Sequence, residues 1–300
     1  MGRDAQSQPE LWGAREAQAM ERLPLAVPDG PLVRGRADHP ILVGTSGFVF
    51  KDWDGPFYPP GLPHAQRLPF YARYFPTLEI NSSYYRVPKP ETFAQLRARV
   101  PDGFEFWVKA HQDLTHAREL SGEALREFRE ALAPLRSDGS LQGVLAQFPW
   151  RFRASAEARD HLLQLRDGLQ GDRLFVEFRH DSWAQDPVFE FLEREGIGYC
   201  CVDEPRLNDL MPPVARRTTD RAYVRFHGRN EKNWWGRGGG DRYDYDYRRE
   251  ELEEWLGKIR ELAERAEKTY VFFNNCHAGQ AARSARLMQD LLQRDFGDAA

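Results

Sequence analysis

The sequence predicts an α/β fold: a (β/α)8 TIM barrel whose outer helix between strands six and seven is reduced or missing. Three observations predict it. Short apolar runs alternate with helical stretches over most of the 300 residues. The alternation yields eight strand candidates, which suits a closed barrel better than an open doubly wound sheet. Seven of these runs turn polar at the C-terminal end: EINSSYY (79–85), FWVKAHQ (106–112), VLAQFP (144–149), LFVEFRH (174–180), YCCVD (199–203), YVRFHG (223–228) and YVFFNN (270–275). A charged strand end is costly to bury unless it is paired or used, so seven of them suggest one shared site.

The strand candidates lie near 41–47, 77–83, 105–111, 141–147, 173–179, 198–203, 222–228 and 269–275. Helical patterns lie near 64–75, 90–99, 121–134, 155–168, 186–195, 247–267 and 278–293. Asp138-Gly139 and Gly171-Asp172 are turn signals before the fourth and fifth strands. The stretch 204–220 is too rich in Pro for a regular helix. Residues 1–39 are rich in Pro, Gly, Arg and acidic groups and read as a flexible extension, with one amphipathic helix possible over 12–23. Residues 40–295 read as a single barrel domain. No GxGxxG or GxxxxGK[ST] motif follows any strand, so a nucleotide cradle of the usual type is not supported.

Composition narrows the partners. The net charge of −4 gives no global basic footprint for nucleic acid, which leaves open only a local basic groove. Cys200, Cys201 and Cys276 form no CxxC pair and no even disulfide set, so a reducing, cytoplasmic compartment is expected. No apolar run is long enough to span a bilayer, and the N-terminus lacks a secretion-signal pattern, so no membrane partner is expected. The sequence leaves the oligomeric state open.

Side chains alternate across a strand, so one face of each must meet the helices and the other the barrel interior. Glu79 and Asn81 oppose Leu78 and Ile80. Trp107, Lys109 and His111 oppose Phe106, Val108 and Ala110. Glu177 and Arg179 oppose Leu174, Val176 and Phe178, and Arg225 and His227 oppose Val224 and Phe226. Gln147, Asp203 and Asn275 are assigned to the polar face by the same count. Active sites of this fold sit at the C-terminal mouth, where these residues would gather. A purely structural network is the competing reading: the three acids could neutralise Lys109, Arg179 and Arg225 and bind nothing.

Seven motifs carry a resemblance: GTSGF with Trp53 (44–53), LEINSSYYRVP (78–88), FWVKAH (106–111), QFPW (147–150), VEFRHDSW (176–183), VRFHGR (224–229) and FFNN (272–275). In this order they resemble the YecE-like family, the domain-of-unknown-function family numbered 72, over about residues 41–293. The resemblance implies a TIM barrel and no particular activity. The family often has a His directly after the paired Asn, whereas here Cys276 intervenes before His277.

The leading chemical reading is an anion site, with hydrolysis of a phosphate-bearing substrate as its reaction. Arg179 and Arg225 would clamp the anion, and Lys109 would add a charge or a reactive amine. Glu177 or Glu79 would be the base, with His227 or His111 as acid–base partner. Asn81, Tyr84, Gln147, Asp203, Asn274 and Asn275 would line the site. A nucleic-acid or nucleotide-binding module without catalysis is the alternative. Its feature is the loop GRNEKNWWGRGGGDRYDYDY (228–247), whose Trp234 could stack on a base and whose glycines could flex. A metal-dependent sugar isomerase or epimerase, or an endonuclease-IV-like phosphodiesterase, is the third reading, by fold analogy. The interleaved cations and the lack of a tight ligand pair argue against it, and no cofactor is expected.

Overall fold

Eight parallel strands close on themselves: β1 (Pro40–Ser46), β2 (Thr77–Ile80), β3 (Glu105–Lys109), β4 (Leu141–Gln147), β5 (Leu174–Glu177), β6 (Gly198–Asp203), β7 (Arg221–Phe226) and β8 (Lys268–Phe273). Each pairs with the next, and β1 pairs with β8 from Ile41↔Thr269 to Thr45↔Phe273. With helices outside, this is a (β/α)8 barrel. The computed structural model describes residues 33–34, 39–118, 120–236 and 241–297. The helix expected in 12–23 and the glycines 238–240 lie outside them. Val33–Arg34 pairs antiparallel with Pro40–Ile41, so the sheet begins inside the segment read as an extension.

The helices follow the strands as α1 (His64–Tyr71), α2 (Pro90–Arg97), α3 (Gly122–Ala131), α4 (Ala133–Ser137), α5 (Ala156–Gly168), α6 (Asp186–Arg194), α7 (Arg249–Arg265) and α8 (Gln280–Gly297). Local chemistry sets their starts. The Ser121 and Ser155 hydroxyls accept from the N–H groups of Ala124 and Ala158. No α-helix joins β6 to β7; Pro205, Pro212 and Pro213 remove donors from that stretch. Among the described residues no helix is long and apolar enough to cross a membrane.

The interior is packed in layers. At the N-terminal end Glu105 takes the Tyr270 hydroxyl at 2.6 Å and an ion pair from Lys268. Above it Trp107 meets Phe175, Tyr223 and Tyr270 edge-on, with ring centroids 4.9, 4.6 and 5.1 Å away. Two glycines make room for these rings. A Cβ on Gly143 would stand 2.5 Å from the Trp107 ring, and one on Gly198 would stand 2.4 Å from Phe175. The aromatic layer closes the barrel from below and forms the floor under the charged groups at the mouth.

Gly198→Ala tests that packing. The Phe175 ring is rigid and enclosed, so the variant should lose about 1–3 kcal/mol, read as a lower urea midpoint. An unchanged midpoint would mean that the aromatic layer is loosely held.

Candidate functional site

The ends of β2, β5 and β7 bring Glu79, Glu177 and Arg225 together in the barrel interior, all three fully buried. Arg225 NH2 lies 2.7 Å from Glu79 Oε1, and its NH1 is paired with Glu177 Oε2. Tyr223 donates its hydroxyl to Glu79 Oε2 at 2.5 Å, and Ser46 Oγ sits 3.3 Å from Arg225 NH2. Arg179, two residues past the end of β5, is paired next: NH2 lies 2.8 Å from Glu177 Oε1 and NH1 2.7 Å from Glu204 Oε2. His227 Nε2 lies 3.2 Å from Glu177 Oε1. Its Nδ1 faces the Asn274 amide at 3.1 Å and Arg179 NH2 at 3.4 Å. Two donors on Nδ1 assign the ring proton to Nε2, which faces Glu177 Oε1 and has Arg225 NH1 3.5 Å away.

Charge follows this geometry. Burial alone would raise the Glu177 carboxyl, but Arg179, Arg225 and the His227 hydrogen bond outweigh it and hold it well below its ordinary value. Burial alone would lower Arg225, and Glu177 and Glu79 reverse this. Burial, helped by Arg179, pushes His227 down to about 3, so the ring is neutral. Burial raises Glu204 to about 7 against the pull of Arg179.

Lys109 differs from its neighbours. Its Nζ lies 2.9 Å from Gln147 Oε1 and 4.4 Å from the centre of the Tyr84 ring. Among the described residues no carboxylate lies within 4.0 Å of it. Burial, with Arg225 adding repulsion, outweighs the longer-range pull of Glu177 and Glu79 and pushes its amine down to about 7. Its partner Gln147 also lines a cavity of about 170 Å³, together with His116, Trp150, Arg179, Trp234 and Arg242, among others. Trp234 is buried and stands over Arg179, 5.7 Å from guanidinium carbon to ring centre.

The mouth therefore assembles Glu79, Lys109, Gln147, Glu177, Arg179, Arg225, His227 and Asn274, with Tyr84 and Trp234 as walls. Asn81 directly follows β2, and its Oδ1 is buried with no hydrogen-bond partner among the described residues. Three expected members sit elsewhere. Asp203 points outward: it accepts from Tyr247 Oη at 2.6 Å, Trp255 Nε1 at 2.7 Å and Arg229 NH2 at 2.7 Å, and so anchors the loop after β7 and helix α7. Cys200, not Cys201, lies beside Glu177, so the inward set on β6 continues to Glu204. Asn275 also points outward, donating to the Tyr245 carbonyl at 2.8 Å and to Ser284 Oγ at 3.2 Å. His111 lies beyond the end of β3 and lines a separate groove with Tyr85, Arg86, Lys89 and Asp113, its Nδ1 3.3 Å from Asp113 Oδ2. Sequence reasoning missed Glu204 and His116. A second acid directly after Asp203 was a signal for the first. His116 sits in a π-helical loop (Asp113–Ala117) that carries no strand periodicity.

The network makes Arg225 a structural cation. Arg225→Met strands two buried carboxylates and should cost about 3–5 kcal/mol in urea denaturation. Lys109→Met removes a desolvated cation that has no carboxylate partner, so it should leave stability unchanged or raise it. Equal losses in both variants would contradict this division.

The comparisons agree with the fold. The family model described as a protein of unknown function, DUF72, matches residues 42–299. A UPF0759 protein, YunF of Bacillus subtilis strain 168, is 31% identical over 277 residues, covering 87% of this chain and 97% of its own. A DUF72 family crystal structure from Thermotoga maritima MSB8 is 41% identical, with a TM-score of 0.79 over 84% of this chain and 99% of that one. A DUF72 family structure from Enterococcus faecalis V583 is 26% identical, with a TM-score of 0.75 over 84% of this chain and 95% of its own. Because the matched residues span the barrel, the chain belongs to the DUF72 family of proteins of unknown function.

Proposed function

We propose that the C-terminal mouth binds a small anionic ligand, carboxylate- or phosphate-bearing, and that Lys109 is its central cation. The observation that carries this reading is that Lys109, bonded to the cavity residue Gln147, has no carboxylate partner among the described residues, whereas Arg179 and Arg225 are engaged by Glu79, Glu177 and Glu204. The arginines thus supply a fixed positive floor in place of the bidentate clamp expected from sequence. Arg242 lines the same cavity and forms no ion pair among the described residues. Glu177 is spent on two guanidiniums and an imidazole, so any proton transfer to a bound phosphate ester falls to Lys109 or His116. Burial and the nearby Lys109 push His116 down to about 4, so its ring is neutral near pH 7.

Exposed aromatics favour a second reading, single-stranded nucleic acid at the rim. Tyr85 and Trp235 are 74% and 57% exposed on loops of the mouth face, near exposed Arg86, Lys89, Arg151 and Arg153.

Sulfate titration followed by calorimetry tests the first reading, because sulfate keeps its charge across neutral pH. Lys109 is protonated below its value of about 7 and neutral above it. Affinity should therefore be highest on the acid side and fall by about tenfold from roughly pH 6 to pH 8. Lys109→Met should lose roughly 10- to 100-fold, and Lys109→Arg should keep binding and lose the pH dependence. Absent sulfate binding, with oligothymidylate binding unchanged in Lys109→Met, would favour the rim reading instead.

A further inference from the structure

We infer that Lys109 is a carbonyl-trapping amine, forming an imine with a small carbonyl compound that also carries an anionic group. The inference rests on the reading of the mouth as an anion site and adds a covalent step to it.

The geometry distinguishes Lys109 from a lysine that merely neutralises charge. Its side chain enters the interior from the end of β3, and Nζ is held at 2.9 Å by the neutral oxygen of Gln147. The same Gln147 oxygen lies 3.5 Å from Arg225 NH1, so a guanidinium approaches the amine from below. The floor carboxylate Glu177 is already engaged by Arg179, Arg225 and His227 and forms no ion pair with Lys109. The Tyr84 ring covers one flank at 4.4 Å. Lys109 is not sealed in: the residue is only partly buried, and its partner Gln147 lines the cavity. Such a position disfavours the ammonium form, in keeping with an amine lowered to about 7, and an uncharged amine is a nucleophile at neutral pH.

The chemistry needs only the carbonyl compound. The Nζ lone pair attacks the carbonyl carbon while the carbonyl π pair moves onto oxygen, which takes a proton. Loss of water from this carbinolamine gives the C=N bond. The balance is amine plus carbonyl to imine plus water, with no oxidant or reductant. His116 is placed to exchange the protons: it lines the cavity, and its ring stands 5.2 Å from Tyr84, the ring that covers Lys109. Gln147 Oε1, the present acceptor of the Nζ proton, can accept the N–H of the protonated imine. Arg242, in the wall of the same cavity, is placed for the anionic group.

Reductive trapping tests this. The full-length protein is incubated with pyruvate and sodium cyanoborohydride, and the modified residue is located by peptide mass spectrometry. One reduced pyruvyl group should appear on Lys109 far faster than on surface lysines, and excess sulfate should slow it. Lys109→Arg should lose the adduct while retaining sulfate binding. Sulfate binding with no preferential adduct at Lys109 would overturn the imine and leave the anion site standing. Loss of both adduct and sulfate binding in the wild-type protein would overturn the two together.

Discussion

Arg225 between Glu79 and Glu177 is the constraint on which the rest of the mouth depends. All three are cut off from water, and a buried charge is tolerated only when it is paired and hydrogen-bonded. The pairing ties β2, β5 and β7 across the barrel. Each further group is placed by the demand to satisfy what remains. Tyr223 caps the free oxygen of Glu79, while His227 and Arg179 take Glu177 Oε1. Glu204 then compensates Arg179, and Asn274 fixes the His227 tautomer. The aromatic layer below, with its inward glycines, keeps water from entering from the other end.

This closed set leaves one cation out. Two arginines and the carboxylates that meet them are matched within hydrogen-bond distance, and Lys109 is left with an amide oxygen and a π face. A structural network would have no use for a desolvated amine at its edge, since a neutral side chain of similar size would cost less there. A ligand supplies the missing partner. The cavity walls, indole rings with Arg242, have the character of a site for a small anion with an apolar part.

The fold was legible because strand and helix periods alternate cleanly and the turn residues punctuate them. Even the missing helix between β6 and β7 could be read from its prolines. The site was legible where polar residues are spaced by two, as in Glu177/Arg179 and Arg225/His227, because alternation then puts both on one face. It was illegible at Asp203-Glu204 and Asn274-Asn275, where two polar residues are adjacent. Alternation says that one of each pair points in and does not say which. The deciding groups lie far off in sequence: Trp255 and Tyr247 need an acceptor outside the barrel and claim Asp203, and Ser284 and the Tyr245 carbonyl claim Asn275. His111 was misplaced for another reason, since β3 ends at Lys109 and the alternation does not extend past it. The ion pairs inside the barrel, finally, depend on contacts across the ring that no local pattern encodes.

The central claim is that Lys109 is a desolvated, unpaired amine among cations that are already paired. Its titration is the most direct test, measured as the rate of trace acetylation of Lys109 against pH and read by peptide mass spectrometry. The account predicts a midpoint near 7. A midpoint near the ordinary lysine value of about 10.4 would contradict it, because it would mean that the amine is solvated or held by a carboxylate.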